Sequence, residues 1–430
     1  MEKFPDTTVS TLGECRYDSP LTIPDFIADT ERVIADVEFD HLKEYLDETG
    51  TVPCFENAGP RKKIFFNPAE VKAAIVTCGG FCPGLNNVVQ NVFNTLHYQY
   101  GVKTVYGVRY GYEGLNPAFG HELIELTTDF AEDLHEKGGT VLGSSRGNQD
   151  PAVMVDFLVS KGINILFTVG GDGTLRGSYA IHEEARRRNL PISVVGIPKT
   201  IDNDILYMHK TFGFSTAVSV ATQSIKSAHA EAKGARNGIG LVKVMGRDSG
   251  FIASYVTLAS NDVNYVFVPE VDFALRGETG FFAHLEARLK RKGHAVVLVA
   301  EGAGQNFFGE AFGKDASGNV QFGDIGVYLK DEMKKYFKER NFPATIKYID
   351  PSYMIRSVPA SAEDAVYCVM LAQNAVHGAM AGKTGMVVGN WNSYFTFLPI
   401  PVATKSRKKI YPHGYLWSMV KTATGMPDFS

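Results

Sequence analysis

The sequence predicts an α/β protein with two doubly wound, Rossmann-like parallel-sheet domains and an N-terminal extension. From residue 71 onward, short β-branched runs alternate with longer amphipathic segments, which is typical of parallel strands joined by crossover helices. A chain of 430 residues is too long for a single hydrophobic core, so we expect more than one core-bearing unit. Ligands of such sheets bind outside the carboxyl ends of the strands, and the functional residues are expected there.

The alternation gives the positions of the individual elements. The apolar runs predict strands over residues 73–77, 104–108, 164–169, 192–197, 241–245, 265–268 and 295–300. The amphipathic segments predict helices over residues 86–98, 151–160, 174–188, 215–231 and 281–291. Residues 303–323 contain five glycines between a strand and a helix, and they predict an exposed excursion.

Changes of pattern along the chain predict the domain boundaries. Several prolines interrupt the first 70 residues, which favours an extension over a further α/β unit. The predicted parts are an extension over 1–70, a first domain over 71–213 completed by about 355–405, a second domain over 214–354, and a tail over 406–430.

Composition and charge exclude several classes of protein. No apolar run approaches the ~20 residues of a membrane-spanning helix, and a net charge of −4 is unlike the basic domain of a nucleic-acid binder. Residues 1–10 lack the basic and apolar regions of a secretory signal, and five cysteines suit reduced thiols better than a disulfide framework. These features predict a soluble cytoplasmic protein without membrane or nucleic-acid partners.

The first glycine-rich turn follows the first predicted strand. It reads Cys78-Gly79-Gly80-Phe81-Cys82-Pro83-Gly84-Leu85-Asn86 and leads into a helix. Glycines let the backbone approach an anion closely, and the free N–H groups of a helix N-terminus favour negative charge. The pattern predicts a phosphate cradle, although a tight turn without a ligand has the same local sequence.

The second turn, Thr168-Val169-Gly170-Gly171-Asp172-Gly173-Thr174, adds a carboxylate to the same arrangement. A carboxylate beside a phosphate requires a cation, and Mg²⁺ prefers one or two carboxylates together with phosphate oxygens and water. Asp172 is therefore a candidate magnesium ligand. The alternative is that Asp172 forms the turn or caps the helix.

The third segment, Gly196-Ile197-Pro198-Lys199-Thr200-Ile201-Asp202-Asn203-Asp204, places two acids after an apolar strand. A base that deprotonates a hydroxyl group is a carboxylate held by its neighbours, close to groups that neutralise the transferring phosphoryl group. Asp202 fits that role, and Asp204 could orient it or share the metal site. A purely structural acidic turn is the alternative.

These turns, taken in order with Met245-Gly246-Arg247-Asp248-Ser249-Gly250, carry a resemblance to a known family. From about residue 71 to about residue 400, the sequence resembles the phosphofructokinase A family. Further matching segments are Pro269-Glu270-Val271-Asp272-Phe273, Glu301-Gly302-Ala303-Gly304 and Ile349-Asp350-Pro351-Ser352-Tyr353-Met354-Ile355-Arg356. The last segment is similar to the long-chain branch, which contains pyrophosphate-dependent enzymes and the ATP-dependent enzymes of plants and protists.

The resemblance implies ATP-dependent 6-phosphofructokinase activity in glycolysis, with Mg²⁺ as cofactor and fructose 6-phosphate as acceptor. It implies that the first domain binds the nucleotide and the second binds the sugar phosphate. The implied nucleotide-binding residues are Gly80, Arg146, Gly147, Gly171, Asp172, Gly173 and Thr174, with Asp172 at the metal.

The resemblance also implies the residues of the acceptor site. Thr200 and Asp202 would lie at the reacting hydroxyl, with Asp202 as the base, and Arg247 would stabilise charge on the transferring group. The implied sugar-phosphate residues are Thr200, Ile201, Asp202, Met245, Gly246, Arg247, Glu301, Lys347, Tyr353, Met354, Ile355 and Arg356.

Two positions depart from bacterial relatives, in which arginines reach the 6-phosphate from the neighbouring subunit. Lys347 replaces one of them, and a lysine keeps the charge but loses the forked geometry; a solvated lysine is the alternative. The other position is Gly238, with Arg236 nearby as a weak substitute.

The choice of phosphoryl donor rests on two markers that disagree. In the family, glycine at position 173 leaves space for the α-phosphate of ATP, whereas aspartate there restricts the enzyme to pyrophosphate. Lys199 is shared with pyrophosphate-dependent members. An aspartate at this position would directly exclude the α-phosphate, whereas a lysine is compatible with either donor. Gly173 therefore favours ATP, and pyrophosphate dependence is the alternative.

The resemblance bears on regulation and assembly as well. Gln90 and Asn94 stand where bacterial members carry effector-binding arginines, so any allosteric regulation should use other surfaces, such as the N-terminal extension. A homodimer or homotetramer is expected. A different kinase with the same Gly-Gly-Asp-Gly turn, or a non-catalytic regulatory subunit, are rival interpretations; the latter usually loses Asp172 or Asp202.

Overall fold

The structure is a computed structural model that describes residues 4–23, 25–309, 313 and 321–429. The chain divides into two compact units. Unit 1 consists of Met1–Thr200, Ile205–Gly213 and Val358–Ser406, and unit 2 consists of Ile201–Asp204, Phe214–Ser357 and Arg407–Ser430.

The observed units differ from the predicted parts at the loop Ile201–Asp204, in the predicted tail, and in the N-terminal extension, which belongs to unit 1. The short loop Ile201–Asp204 belongs to unit 2, although the predicted boundary lay at residue 213. The predicted tail also belongs to unit 2, where helix Tyr415–Thr424 forms part of the fold. Local sequence patterns reveal neither the packing of this loop nor the packing of this helix in unit 2, because each packs against residues that are far away in the chain.

The strands are short and mostly apolar. In chain order they are β1 (Ser10–Thr11), β2 (Tyr17–Asp18), β3 (Arg32–Ile34), β4 (Cys54–Asn57), β5 (Lys63–Ile64), β6 (Lys72–Thr77), β7 (Thr104–Val108), β8 (Ile124–Glu125), β9 (Ile165–Gly170), β10 (Ser193–Pro198), β11 (Gly238–Val244), β12 (Tyr265–Phe267), β13 (His294–Ala300), β14 (Thr345–Ile349), β15 (Lys383–Thr384), β16 (Met386–Trp391) and β17 (Tyr394–Pro399).

The helices alternate with these strands through most of the chain. In chain order they are α1 (Phe39–Thr49), α2 (Leu85–Asn94), α3 (Thr128–Ala131), α4 (Pro151–Lys161), α5 (Asp172–Arg187), α6 (Phe214–Gly234), α7 (Phe251–Ser260), α8 (Phe281–Lys292), α9 (Ile325–Glu339), α10 (Ala362–Met380), α11 (Ile400–Ala403) and α12 (Tyr415–Thr424).

Unit 1 is organised around a large mixed sheet. Within the described residues, its strand order is β3-β4-β17-β16-β10-β9-β6-β7-β8. The central strands β16, β10, β9, β6 and β7 are parallel, and the outer pairs are antiparallel. The N-terminal extension contributes β3 and β4 to this sheet, so it is an integral part of unit 1.

Unit 2 contains a smaller sheet that is parallel throughout. Its order is β12-β13-β11-β14, and β11 pairs along its whole length with β13. Every residue of β12 is buried, as expected for a strand of a covered parallel sheet. The parallel centre of the large sheet and the parallel small sheet confirm the predicted fold class.

Part of the predicted excursion over 303–323 is described. Residues 305–308 form a short helical turn, and residues 310–312 and 314–320 lie outside the described residues. No helix in the described parts of the chain is long and apolar enough to cross a membrane.

Helix α2 is fixed to α10 at both ends. Gly84, which precedes α2, has φ +102°, and a Cβ there would lie 2.6 Å from Sγ of Cys368 in α10. Glycine is therefore required for both conformation and space. Beyond the other end of α2, the Tyr100 hydroxyl lies 2.9 Å from Nδ1 of the buried His377 in α10.

The buried His377 should make the protein sensitive to mild acid. Burial lowers the pKa of its imidazole to about 4. The unfolded chain therefore binds a proton below about pH 6.5 that the folded chain binds only near pH 4, so stability is lost as the pH falls through this window. We expect His377→Gln to reduce the loss of unfolding free energy between pH 7 and pH 5 by about 2 kcal/mol, measured by urea denaturation.

Exposed His413→Gln is the matched control for this measurement and should leave the pH dependence unchanged. Equal pH dependence of the wild-type chain and His377→Gln would contradict the assignment.

Candidate active site

The first glycine turn of unit 1 is held by two neighbouring segments. The Gly79 N–H donates to the Ser145 carbonyl at 3.1 Å, and the Ser144 hydroxyl donates to the Gly79 carbonyl at 2.6 Å. The Lys199 ammonium donates to the Gly80 carbonyl at 2.6 Å. The structure therefore brings Gly80, Lys199 and the loop that carries Arg146 and Gly147 together, as parallel strands ending at one sheet edge should.

The second glycine turn leads directly into helix α5. Gly171 precedes the helix and Asp172 is its first residue, so backbone N–H groups at this end are free of partners within the helix. The Lys199 N–H donates to the Gly170 carbonyl at 2.9 Å, and the Tyr112 hydroxyl donates to the Thr174 carbonyl at 2.6 Å. The helix dipole makes this end suitable for an anion.

Asp172 forms an ion pair that the sequence analysis did not include. Its side chain is 14% exposed and pairs with Arg176, one turn later on the same helix. A cation bound at Asp172 would compete with this guanidinium. The i to i+4 spacing is a recognisable pattern, so Arg176 could have been identified from the sequence.

Gly173 lies beside open space. A Cβ added at this residue would meet no heavy atom within 4 Å, and the backbone conformation is accessible to other residues. The fold therefore leaves room for a larger side chain at the residue that the family resemblance links to donor choice.

Lys199 is a buried cation of unit 1. Only 6% of its surface is exposed, and its Nζ would lie 3.4 Å from a Cβ added at Gly79. Buried ammonium groups are costly unless they have oxygen partners, and the Gly80 carbonyl supplies one. The positive charge lies next to the first glycine turn, where it can act on a bound phosphate.

In unit 2, the loop Ile201–Asp204 holds the predicted base. Oδ1 of Asp202 is buried, its carboxylate accepts a hydrogen bond from the Arg247 backbone N–H, and its carbonyl accepts one from the Ser249 hydroxyl at 3.1 Å. The turn after β11 therefore fixes the loop, which positions the carboxylate of Asp202.

The electrostatic environment of Asp202 is dominated by burial and like charges. Burial raises its pKa well above the usual range, and the carboxylates of Asp204 and Glu301 raise it further. The Arg407 guanidinium and the Arg247 N–H act in the opposite direction. Burial also raises the pKa of Glu301, although nearby cations, first of all Arg247, oppose this.

The turns after β11 and β13 are joined in unit 2. The Glu301 N–H donates to the Val244 carbonyl at 2.9 Å, and the Gly302 N–H donates to the Gly246 carbonyl at 3.1 Å. Gly246 has φ +128°, a conformation that favours glycine. The structure thus brings the predicted residues Met245, Gly246, Arg247 and Glu301 together.

The Arg247 guanidinium is placed where it could bind an anion. It lies 4.4 Å from the ring centroid of Phe322, and its buried Nη2 has no hydrogen-bond partner among the described residues. Leaving a buried donor unpaired is unfavourable, so an anionic ligand would satisfy it.

The remaining sugar-phosphate candidates differ in exposure. Tyr353 and Met354 are exposed, whereas the Ile355 side chain is fully buried and packs in the core. The Arg356 guanidinium lies 5.0 Å from the ring centroid of Tyr353. Lys347 is partly exposed and forms an ion pair with Glu231 at 3.2 Å.

The departures from bacterial relatives have structural explanations. A Cβ at Gly238 would lie 2.1 Å from the Ala232 carbonyl oxygen, so an arginine has no space there, and Arg236 is exposed close by. The Gln90 amide donates to the carbonyls of Ala131 and Glu132 at 2.7 and 3.1 Å, which gives Gln90 a structural role at the end of α3.

No group of three or more His, Cys, Asp or Glu side chains suited to a metal occurs in the described residues. Mg²⁺ in phosphate sites takes one or two carboxylates and completes its shell with phosphate and water, so the metal role predicted for Asp172 does not require such a group. The single carboxylate at the α5 N-terminus fits such a donor set.

Sequence reasoning missed the cations at the other end of the chain. Arg407 pairs with Asp204 and lies 3.7 Å from Asp248, although residues 406–430 were predicted to be only a tail. Four of the five residues from Lys405 to Lys409 are basic, and this run was the available signal.

Comparisons with known proteins identify the family of the chain. The family described as Phosphofructokinase matches residues 72–379. The chain is 48% identical to the ATP-dependent 6-phosphofructokinase of Borreliella burgdorferi, covering 98% of this chain and 97% of that protein. It is 46% identical to the enzyme of the same name from Entamoeba histolytica, covering 97% and 94%.

A solved structure shares the fold. The pyrophosphate-dependent phosphofructokinase of Marinobacter aquaeolei matches with a TM-score of 0.68 and 21% identity, over 83% of this chain and 91% of that one. At this level of identity the likeness shows the fold alone.

The raised pKa of Asp202 predicts an effect on stability that is independent of any ligand. A carboxyl group whose pKa is higher in the folded than in the unfolded protein favours the unfolded chain once it can ionise there. The destabilisation begins as the pH rises above the pKa in the unfolded chain and is complete above the pKa in the folded protein. We expect ligand-free Asp202→Asn to melt at a higher temperature than the wild-type chain at pH 8, with the gain shrinking as the pH falls.

Differential scanning fluorimetry across pH 5 to 8.5 measures this effect. Exposed Asp272→Asn is the control and should show no such trend. A lower melting temperature of Asp202→Asn at pH 8 would contradict the electrostatic account.

Proposed function

Since this chain belongs to the phosphofructokinase family, we propose that it transfers the γ-phosphate of ATP to the 1-hydroxyl of fructose 6-phosphate. The observation that carries the choice of ATP is the second glycine turn, with Asp172 at a helix N-terminus and open space beside Gly173. Nearly full-length relatives named ATP-dependent 6-phosphofructokinase support the same conclusion.

Residues of unit 1 bind the donor. The N-terminus of α5 and the first glycine turn present backbone N–H groups and the helix dipole to phosphate oxygens. The Lys199 ammonium adds a full positive charge beside Gly80. Asp172 holds Mg²⁺, which supplies neutralising charge to the phosphate oxygens when bound.

Residues of unit 2 bind the acceptor and remove its proton. Asp202 accepts the proton of the 1-hydroxyl, and its raised pKa makes the carboxylate a stronger base. Arg247 donates to the transferring phosphoryl group through its unpaired Nη2. Glu301 accepts from sugar hydroxyls, and Arg356 donates to the 6-phosphate.

Pyrophosphate dependence is the second candidate, because one feature of unit 1 is compatible with either donor. The buried Lys199 ammonium beside Gly80 suits a small, highly charged donor as well as it suits ATP. Nothing in the space beside Gly173 excludes an α-phosphate, however, so ATP is the donor that the geometry supports better.

We propose that the enzyme acts as a cytoplasmic homodimer or homotetramer with shared sugar-phosphate sites. The exposed aromatic Tyr353 and the partly exposed Lys347 support this, since both sit at the predicted sugar-phosphate site without being covered by the chain itself. Sedimentation with and without fructose 6-phosphate tests the assembly.

Donor choice is tested with purified protein, fructose 6-phosphate and Mg²⁺, comparing ATP with pyrophosphate. We expect activity with ATP, and we expect Gly173→Asp to lower kcat/KM for ATP by about 100-fold or more, because juxtaposed like charges cost several kcal/mol. Gly173→Ala, whose Cβ meets nothing within 4 Å, is the control and should retain most activity. Wild-type activity with pyrophosphate alone would overturn the assignment of ATP.

The role of Asp202 is tested by Asp202→Asn, which removes the proton acceptor but keeps the shape of the side chain. General-base catalysis contributes about 10² to 10⁴-fold, so kcat should fall by at least about 100-fold. Binding of fructose 6-phosphate, measured by calorimetry, should be largely preserved. Near-normal turnover would exclude Asp202 as the base.

A further inference from the structure

The C-terminal segment Arg407–Ile410 contacts the loop that carries the predicted base. The Arg407 guanidinium forms an ion pair with the Asp204 carboxylate and lies 3.7 Å from Asp248. The Lys408 backbone N–H donates to the Asp204 carbonyl at 2.8 Å. All these residues belong to unit 2, although about 200 residues of chain separate the two segments.

A second set of contacts holds this segment in place. The Ile410 N–H donates to Oε1 of Glu270 at 2.9 Å, and the Gly250 N–H donates to the same oxygen at 3.0 Å. Gly250 immediately precedes α7, so Glu270 joins the segment to the start of a core helix. The Lys408 ammonium lies 5.0 Å from the ring centroid of Phe251, the first residue of that helix.

The buried carboxylates of this region explain why the contact with Arg407 is needed. Asp204 is only 1% exposed, and Asp202 and Glu301 are close enough to interact with each other electrostatically. Buried carboxylates that repel each other are unfavourable unless cations compensate them. Arg407 supplies that charge directly to Asp204 and acts on Asp202 through space.

We propose that Arg407 is a positioning residue for Asp202. Through its ion pair with Asp204, Arg407 holds the Ile201–Asp204 loop in its catalytic conformation. Arg407 does not need to touch the substrate in this role. The geometry gives the C-terminal segment a part in catalysis that its place in the chain does not suggest. The catalytic consequence rests on the proposed function, whereas the effect on the loop does not.

The test compares Arg407→Met, Arg407→Lys and the control Lys409→Met, each in the full chain. Methionine keeps the apolar length of the side chain but removes the charge, and lysine restores the charge without the forked donor geometry. Lys409 is an exposed neighbour in the same basic run, and its ammonium acts on Glu270 only as the weakest of several interactions, so its replacement should have little effect.

We expect Arg407→Met to lower kcat about 10- to 100-fold, while fructose 6-phosphate binds with unchanged stoichiometry and an affinity within about threefold of wild type. Arg407→Lys should recover part of the lost kcat. An unchanged binding stoichiometry shows that the variant is fully folded. The decrease in kcat then reflects slower turnover at each site and not a smaller number of active sites. Wild-type kcat in Arg407→Met would overturn the proposal.

Hydrogen–deuterium exchange of the ligand-free proteins provides a readout that does not depend on activity. Amides of residues 201–204 should exchange faster in Arg407→Met than in wild type or Lys409→Met, with the strands of unit 2 unchanged. Unaltered exchange of this loop, or accelerated exchange throughout unit 2, would refute a local positioning role. If the wild-type chain lacks phosphofructokinase activity but the loop loosens as expected, the proposed function fails and the structural part of this inference stands.

Discussion

Parallel strand pairing is the constraint on which the rest of the site depends. In unit 1, β9 pairs in parallel with both β6 and β10, so the three turns that follow these strands must emerge at the same sheet edge. In unit 2, the same relation joins β11 and β13. Segments that are far apart in sequence are therefore brought together by backbone hydrogen bonds, before any side chain contributes.

This arrangement brings several negatively charged side chains close together. Unit 2 gathers Asp202, Asp204 and Glu301 in a partly buried place, and burial raises the pKa of both Asp202 and Glu301. The compensating cations come from different parts of the chain, with Arg247 in the turn after β11 and Arg407 near the C-terminus. Under the proposed function this site binds phosphate and accepts a proton, so apolar residues cannot replace its charged groups, and their mutual repulsion remains in the ligand-free state.

The sequence was sufficient for features that are local. The strand, glycine turn and helix around Asp172 form a continuous segment, so the strand, the turn and the helix that begins there could all be predicted from it. The role of Arg407 could not be predicted, because its contact with Asp204 depends on tertiary packing across about 200 residues. The absence of space at Gly238 was hidden for a different reason: it depends on how closely the chain turns back onto α6 over a few residues, where the Ala232 carbonyl fills the space.

The open space beside Gly173 has a consequence for the history of the fold. Most substitutions near a buried sheet edge must be accommodated by the core, and this slows their acceptance during evolution. A Cβ at position 173 meets no heavy atom within 4 Å, so packing places little constraint on which residue stands there. If position 173 sets the phosphoryl donor as proposed, selection at this residue acts on the donor that is used, because the stability of the protein imposes no barrier.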